Sequence, residues 1–232
     1  MRRGPGSRFP DPARAPGDAP LAWGGDLAPA TLLDAYANGI FPWPSGDGTL
    51  LWWSPDPRAL FTLDGPHVSR SLRRTLARDR LVCSADTDFA GVVAACADRP
   101  GEGTWITPAM RAAYARLHEL GFAHSVEVRQ AADDRLVGGV YGVALGGAFM
   151  GESMFSRVRD ASKVALVDLV DRLRRGGYAL FDAQLPTPHL TSMGAATTPR
   201  SVFLAALRTA LPLDTDLPRE VRGTAGLAGR EG

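Results

Sequence analysis

The stretch from residue 146 to 184 constrains this chain most, because it predicts a strand, an amphipathic helix and a second strand in direct succession. The first strand spans residues 148–155, and the second ends at residues 182–184. Three polar residues interrupt these otherwise apolar strands, namely Glu152, Asp182 and Gln184. A carboxylate in a buried strand is costly unless it is paired or needed for function. We therefore expect the chemistry of the protein in this stretch.

Two further predicted strands precede this unit. Residues 123–128 and 136–145 alternate or run apolar, and Asp133 and Asp134 between them indicate a hairpin. A meander of strands followed by a helix and another strand is the core order of an acetyltransferase-type domain. The predicted fold class is therefore α/β, of the α+β kind, with a mixed sheet.

Composition indicates an ordinary globular protein, with 45% hydrophobic and 22% charged residues among 232. The net charge of +1 gives no global sign of nucleic-acid binding. Cys83 and Cys96 form neither a disulfide framework nor a metal-ligand spacing, which is typical of reduced cytosolic thiols. The sequence contains no apolar run of membrane-spanning length and no signal-peptide pattern, so we expect a cytoplasmic protein without a membrane partner.

Changes in composition predict four segments along the chain. Residues 1–20 are rich in Pro, Gly and Arg and predict a flexible arm. A small N-terminal domain is expected over residues 21–60 and the acetyltransferase-like catalytic domain over residues 61–213. Residues 214–232 are expected to be a disordered tail.

The strongest local charge bias lies in residues 67–80. Ser69 is a candidate N-cap for a helix there. Four arginines then fall on one face of that helix, at Arg70, Arg73, Arg74 and Arg78. Such a face is either simply solvated or contacts phosphates.

The segment 40–58 holds three of the five tryptophans among prolines and glycines, which favour turns and short strands. Trp43, Trp52 and Trp53 therefore lie on irregular structure. They form either a small core or a stacking platform.

A series of motifs, which covers residues 20 to 210 in order, resembles the leucyl/phenylalanyl-tRNA–protein transferase family. The motifs are GGDL at 24–27, LLDAYANGIFPW at 32–43, LWWSPDPR at 51–58, GTWIT at 103–107, HELGFAHSVE at 118–127, VGGVYGV at 137–143, GESMFSR at 151–157, ASK at 161–163, DAQ at 182–184 and PR at 199–200.

This resemblance implies an aminoacyltransferase with a small N-terminal domain before the acetyltransferase-like domain. Such enzymes move leucine or phenylalanine, and less readily methionine, from aminoacyl-tRNA to a protein that begins with Arg or Lys, which marks the product for N-end rule degradation. The implied partners are leucyl-tRNA, phenylalanyl-tRNA and those acceptor proteins. Neither a metal nor a cofactor is expected, and we expect a monomer.

The resemblance also implies roles for individual residues. Asp182 and Gln184 share a face of their strand and match the pair at the reacting centre, either as acid–base groups or for positioning. Glu152 and Asp182 would supply negative charge for the cationic acceptor. The pocket for the donor side chain is expected from Val140, Met154, Leu166, Leu169 and Phe181. Aromatic residues around the terminal adenosine would be Tyr36, Trp43, Trp105 and Tyr114, with the four arginines of residues 67–80 on the tRNA phosphates.

Two alternatives stay open on the residues alone. An acyl-CoA-dependent N-acyltransferase would hold a pyrophosphate on a Gly-rich loop before the central helix, but residues 157–162 have no glycine there and include Asp160. A non-catalytic tRNA- or degron-binding module would not need Glu152, Asp182 and Gln184 together.

Overall fold

Two β-sheets organise the part of the chain that the computed structural model describes, residues 6–98 and 104–228. The strands in chain order are β1 (Ala22–Trp23), β2 (Phe41–Pro42), β3 (Leu51–Trp53), β4 (Arg58–Phe61), β5 (Leu81–Ala85), β6 (Ala123–Gln130), β7 (Leu136–Leu145), β8 (Ala148–Ser156), β9 (Leu180–Gln184), β10 (Ala196–Thr198) and β11 (Arg222–Gly223). The α-helices are α1 (Pro29–Ala37), α2 (Arg70–Ala77), α3 (Phe89–Ala97), α4 (Pro108–Glu119), α5 (Ala161–Arg175), α6 (Pro188–Ser192), α7 (Arg200–Ala210) and α8 (Ala225–Ala228).

The small sheet belongs to the N-terminal domain and has the order β1-β3-β2. Helix α1 begins with Pro29, whose missing N–H costs nothing in the first turn. Trp52 in the central strand is buried, and its ring packs edge-on against the ring of Phe9 with the ring centroids 4.7 Å apart. Trp52 is therefore a core residue.

The large sheet has the order β10-β4-β9-β8-β7-β6-β5-β11. The predicted meander is present as β6, β7 and β8, all antiparallel, and α5 returns the chain to β9, which pairs parallel to β8. The predicted fold class is confirmed: a mixed α/β sheet follows a small N-terminal domain.

Local capping signals place the helices around this sheet. The hydroxyl of Ser69 accepts a hydrogen bond from the backbone N–H of Leu72, and the hydroxyl of Thr107 accepts one from the backbone N–H of Met110.

Alternation along β7 puts Val140 in one core cluster with α2 and α5, and Tyr141 in another with α1, α3 and α4. Among the described helices, none is both long and apolar enough to cross a membrane.

The flexible arm predicted for residues 1–20 is wrong for its described part, residues 6–20. Phe9 and Ala15 are buried, and Arg200 of α7 donates to the carbonyl of Ala15 at 2.7 Å. Composition missed this because one aromatic ring and one buried guanidinium are enough to hold a Pro-rich segment. Residues 1–5 lie outside the described ranges.

The disordered tail predicted for residues 214–232 is likewise corrected up to residue 228. Strand β11 pairs with β5, and Leu217 and Leu227 are each 2% exposed. Residues 229–232 lie outside the description. Strand β4 belongs to the large sheet and spans the boundary expected at residue 60, so the large sheet begins at Arg58.

Candidate active site

A cavity of about 310 Å³ opens where β8 and β9 separate. Their parallel pairing ends at Met150 and Asp182, although β8 continues to Ser156. Past that point the side chains of both strands face an open space rather than each other. The residues that line it are Phe41, Pro42, Trp43, Phe61, Trp105, Val140, Gly151, Glu152, Ser153, Met154, Phe181, Ala183, Gln184, Leu185, Thr187, His189 and Leu190.

Glu152 lines the cavity because a β-bulge puts it there. Tyr141 of β7 pairs with Ser153, and Gly142 pairs with Gly151, so Glu152 is the extra residue of β8 without a partner on β7. Bulges of this kind turn a side chain away from the regular alternation of a strand. Strand alternation in the sequence alone would not have placed this carboxylate correctly.

The Glu152 carboxylate is held by neutral donors. Its Oε2 accepts a hydrogen bond from the Tyr114 hydroxyl at 2.6 Å, and its Oε1 accepts one from Gln184 Nε2 at 2.8 Å. Burial raises the pKa of Glu152 to about 7, and these hydrogen bonds keep it from rising further. The carboxyl can therefore exchange a proton close to neutral pH.

The two tyrosines expected around the terminal adenosine have a different role, which corrects that expectation. Tyr36 and Tyr114 are 1% and 0% exposed, so neither ring is accessible to a base. Their hydroxyls lie 2.6 Å apart and continue the hydrogen-bond chain to Glu152. Burial raises the pKa of both hydroxyls well above the usual range, so both stay protonated as donors.

Asp182 is sealed away from the cavity by Arg58. The guanidinium of Arg58 donates from Nε to Oδ1 at 2.8 Å and from Nη2 to Oδ2 at 2.6 Å, and both side chains are at most 1% exposed. Sequence reasoning missed Arg58, although a buried carboxylate requires a partner and Arg58 ends one of the recognised motifs. The expectation that Asp182 contacts the acceptor directly is therefore corrected, because Asp182 is buried in this pair and does not line the cavity.

Gln184 connects the two carboxylates. Its backbone N–H donates to Asp182 Oδ1 at 2.8 Å, and its side chain donates to Glu152 Oε1 at 2.8 Å. Gln184 has φ of +64°, a left-handed conformation that is uncommon for a residue with a side chain. The contact with Asp182 thus holds Gln184 in the conformation that aims its amide at Glu152.

The expected donor pocket is only partly at the cavity surface. Val140, Met154 and Phe181 line the cavity, and their role in binding the donor side chain stays a prediction. Leu166 and Leu169 do not line it, because they are at most 1% exposed and pack in the core cluster behind Val140 and Phe181. The cavity instead gains apolar lining from residues that sequence reasoning did not select, among them Phe61, Leu185 and Leu190.

The expected aromatic pair Trp43 and Trp105 lies at the cavity. Their ring centroids are 6.0 Å apart with an interplanar angle of 41°, and Trp43 is 39% exposed. This leaves an indole face available to a planar ligand.

The four candidate phosphate-binding arginines are exposed: Arg70, Arg73 and Arg74 lie on α2, and Arg78 is the residue that caps its C-terminal end. Leu72 and Leu76 on the other face of the helix are buried in the core. Arg73 also donates to the carbonyl of Ala228 at 3.1 Å, so α8 packs beside this basic face.

His189 is a further polar residue of the cavity. It lies on α6, and its Nε2 is buried without a hydrogen-bond partner among the described residues. Burial, reinforced by Lys163, lowers the pKa of His189, so its ring is neutral near pH 7.

A mixed sheet of acetyltransferase-type order, with a cavity beside parallel strands that is lined by a carboxyl and an amide, is the arrangement expected of an acyltransferase. The leucyl/phenylalanyl-tRNA protein transferase family matches residues 60–208, and the N-terminal domain of the same family matches residues 25–56. The chain belongs to this family, and it is an aminoacyltransferase.

Relatives from several bacteria support this assignment. A leucyl/phenylalanyl-tRNA–protein transferase of Aromatoleum aromaticum is 57% identical over 192 residues, which cover 82% of this chain and 80% of that protein. One from Anaeromyxobacter dehalogenans is 54% identical over 210 residues, with 89% of each chain covered. Among solved structures, the C-terminal domain of a putative lysylphosphatidylglycerol synthetase from Agrobacterium fabrum superposes with a TM-score of 0.39 at 13% identity, over 87% of this chain and 67% of that one.

Proposed function

We propose that this aminoacyltransferase moves leucine or phenylalanine, and less readily methionine, from aminoacyl-tRNA to proteins that begin with Arg or Lys, and so marks them for N-end rule degradation. The observation that carries the proposal is the cavity between β8 and β9. It combines apolar walls, two tryptophans and the Glu152–Gln184 pair in one space. Cytoplasmic location and a monomeric state remain predictions.

The donor side chain occupies the apolar part of the cavity. Val140, Met154 and Phe181 present aliphatic, thioether and aromatic surface there. A flexible methionine adapts to both branched and planar side chains. This suits a site that accepts leucine and phenylalanine and discriminates weakly between them.

The terminal adenosine of the donor stacks on the indoles of Trp43 and Trp105. Stacking on an aromatic ring needs no specific base edge, and loss of one stacked base costs about 1–3 kcal/mol. Because Tyr36 and Tyr114 are buried, these two tryptophans carry the whole contact.

The acceptor's α-amine lies next to Glu152, where a carboxylate attracts the cationic N-terminal residue. The reaction is the aminolysis of an ester, which requires a neutral amine beside the carbonyl carbon and stabilisation of the oxyanion. Gln184 donates only one of its two amide hydrogens to Glu152. The other is available for the carbonyl oxygen, and Asp182 acts through its hold on the Gln184 backbone.

Exposed arginines of α2 hold the acceptor-stem phosphates, without reading bases. Affinity for tRNA should then fall steeply between about 50 and about 200 mM salt. Substitution of Arg70, Arg74 and Arg78 together by Gln should flatten that dependence, whereas substitution of the exposed Arg116 on α4 should not. A salt dependence that is unchanged in the triple variant would remove α2 from the tRNA contact.

An acyl-CoA donor fits the start of α5 poorly. Asp160 occupies the N-cap position, and its carboxylate lies 3.3 Å from Lys163 Nζ and accepts from Thr75 Oγ1 at 3.2 Å. A pyrophosphate at that helix end would meet this fixed negative charge.

One assay tests the proposal against its alternatives. The protein is mixed with leucyl-tRNA that carries labelled leucine and with peptides that begin with Arg, Lys or Ala. Label should appear on the first two peptides only, and leucyl-CoA should not replace leucyl-tRNA. Transfer from leucyl-CoA would favour the acyl-CoA enzyme, and binding without transfer would favour a non-catalytic module.

A further inference from the structure

Arg58 contacts both oxygens of Asp182 in a bidentate pair. Besides the two contacts with Asp182, Arg58 Nη1 donates to the carbonyl of Gly39 at 3.2 Å. Its Cζ lies 4.4 Å from the ring centroid of Phe203 and 4.9 Å from that of Phe41. Asp182 is thus held in a buried ion pair and does not line the cavity.

Glu152 has the opposite surroundings. It lines the cavity, its contacts are with Tyr114 and Gln184, and among the described residues it forms no ion pair with an arginine or lysine. The bulge in β8 keeps it at the cavity wall. It is therefore the carboxyl that a substrate amine can reach.

On the basis of the proposed function, we infer that Glu152 is the group that takes the proton from the acceptor's α-amine, and that Arg58 is the positioning residue that excludes Asp182 from this step. The α-ammonium gives one proton to the Glu152 carboxylate, and the neutral nitrogen attacks the ester carbonyl carbon. As the bond between that carbon and the ribose oxygen breaks, the oxygen leaves with a second proton from the attacking nitrogen. Glu152 then releases its proton to solvent, so one amide, one free ribose hydroxyl and one proton result.

The surroundings of Glu152 support this exchange. Tyr36 and Tyr114 on the core side stay protonated and donate, and Asp182 beyond Gln184 adds negative charge that opposes ionisation. The pKa of Glu152, raised by burial to about 7, lets it alternate between its two forms near neutral pH. His189 is the other titratable group of the cavity and has a lowered pKa, so its titration falls at more acidic pH.

The test is the pH dependence of kcat/KM for transfer from leucyl-tRNA to a peptide that begins with Arg. The kcat/KM of wild type should rise with pH, with a midpoint near pH 7 that reports Glu152. The peptide's own α-amine titrates at higher pH, with a pKa of about 7.7–8.0, and does so with every enzyme variant. Glu152→Gln should reduce the rate about 10²- to 10⁴-fold and remove this midpoint. His189→Gln, the matched control in the same cavity, should retain it.

Arg58 and Asp182 are tested with variants that keep the buried charge balanced. Arg58→Gln with Asp182→Asn removes both charges together, and Arg58→Lys retains one contact with Asp182. Both should lower kcat more than they raise KM for the peptide, because Gln184 loses its fixed position. Both should still show a rising midpoint, because Glu152 itself is unchanged. Circular dichroism shows whether each variant is folded. If the double variant does not fold, Arg58→Lys alone provides the test.

Two results would overturn the inference. One is a Glu152→Gln profile with the wild-type midpoint, and the other is a folded Arg58 variant from which that midpoint has disappeared. Failure of wild type to transfer leucine at all would instead refute the proposed function, so the two failures are distinguishable.

Discussion

Two buried polar networks of this protein are built in opposite ways. On α5, Asp168 and Asp171 are matched by cations: Arg172 donates to Asp168 at 2.5 Å, and Arg222 donates to Asp168 at 2.7 Å and to Asp171 at 2.5 Å. At the cavity, Glu152 has only hydroxyl and amide donors. The first network is saturated with opposite charge and fixes structure, whereas the second leaves a carboxyl free to change its protonation state.

Asp182 shows that the distinction does not follow from distance to the site. It is separated from Glu152 only by Gln184, yet its bidentate pair with Arg58 places it with the structural group. Buried carboxylates are thus sorted by the partner they have rather than by their place in a motif.

The largest expected effect comes from breaking the cationic network. Arg172→Met should lower the free energy of unfolding by about 3–5 kcal/mol, because Asp168 loses a fully buried partner and the carbonyls of Pro218 and Glu220 lose their donor. Urea denaturation measures this. Arg174→Met on the same helix, where the side chain is half exposed, should change stability by less than about 0.5 kcal/mol. Equal losses in the two variants would contradict the comparison.

The next effect concerns Glu152 and has the opposite sign. The pKa of Glu152 is about 7 in the folded protein against 4.5 for a free glutamate. Protonation of Glu152 therefore stabilises the folded protein at low pH, and this stabilisation is lost as pH rises through about 7. Glu152→Gln should therefore be more stable than wild type by on the order of 2 kcal/mol at about pH 8, and this advantage should vanish near about pH 5. Unfolding curves at several pH values measure the difference, and an advantage independent of pH would refute it.

A smaller effect sharpens the role of the neutral donors. Tyr114→Phe removes a hydrogen bond that lowers the pKa of Glu152, so the activity midpoint should move above pH 7, with a loss of about 1 kcal/mol in stability. Tyr178→Phe, at a buried tyrosine outside the cavity lining, should cost a similar amount without moving the midpoint. A midpoint that stays in place in Tyr114→Phe would separate this tyrosine from the chemistry.

The smallest effect belongs to an exposed ion pair. Arg116 and Glu119 lie 2.7 Å apart with both side chains more than half exposed. Replacement of both by Ala should change stability by less than about 0.5 kcal/mol, since solvent screens such pairs. Thermal unfolding measures this change. A larger loss of stability would show that the charge of the partner does not by itself determine how much each network stabilises the fold.

Periodicity and turn residues in the sequence predicted much of the fold. The meander β6–β8, helix α5 and the cap Ser69 were all predicted from local patterns. The short strands β4, β10 and β11 were not, because two to four residues carry no periodicity and become strands only by pairing with a sheet that already exists. The packing of residues 6–20 was missed for the same reason, since Phe9 and Ala15 find their partners far along the chain.

For the site, the sequence by itself singled out Glu152, Asp182 and Gln184 as candidates, since they are polar in apolar strands and form part of recognised motifs. The tertiary structure alone decided which partners each of them has. The bulge that turns Glu152 to the cavity arises from pairing between β7 and β8. The left-handed conformation of Gln184 is held by its contact with Asp182, which Arg58 fixes in place. Arg58 reaches Asp182 across 124 positions of sequence. A carboxylate's protonation depends on the charges and water around it, and those are set only when distant segments pack together.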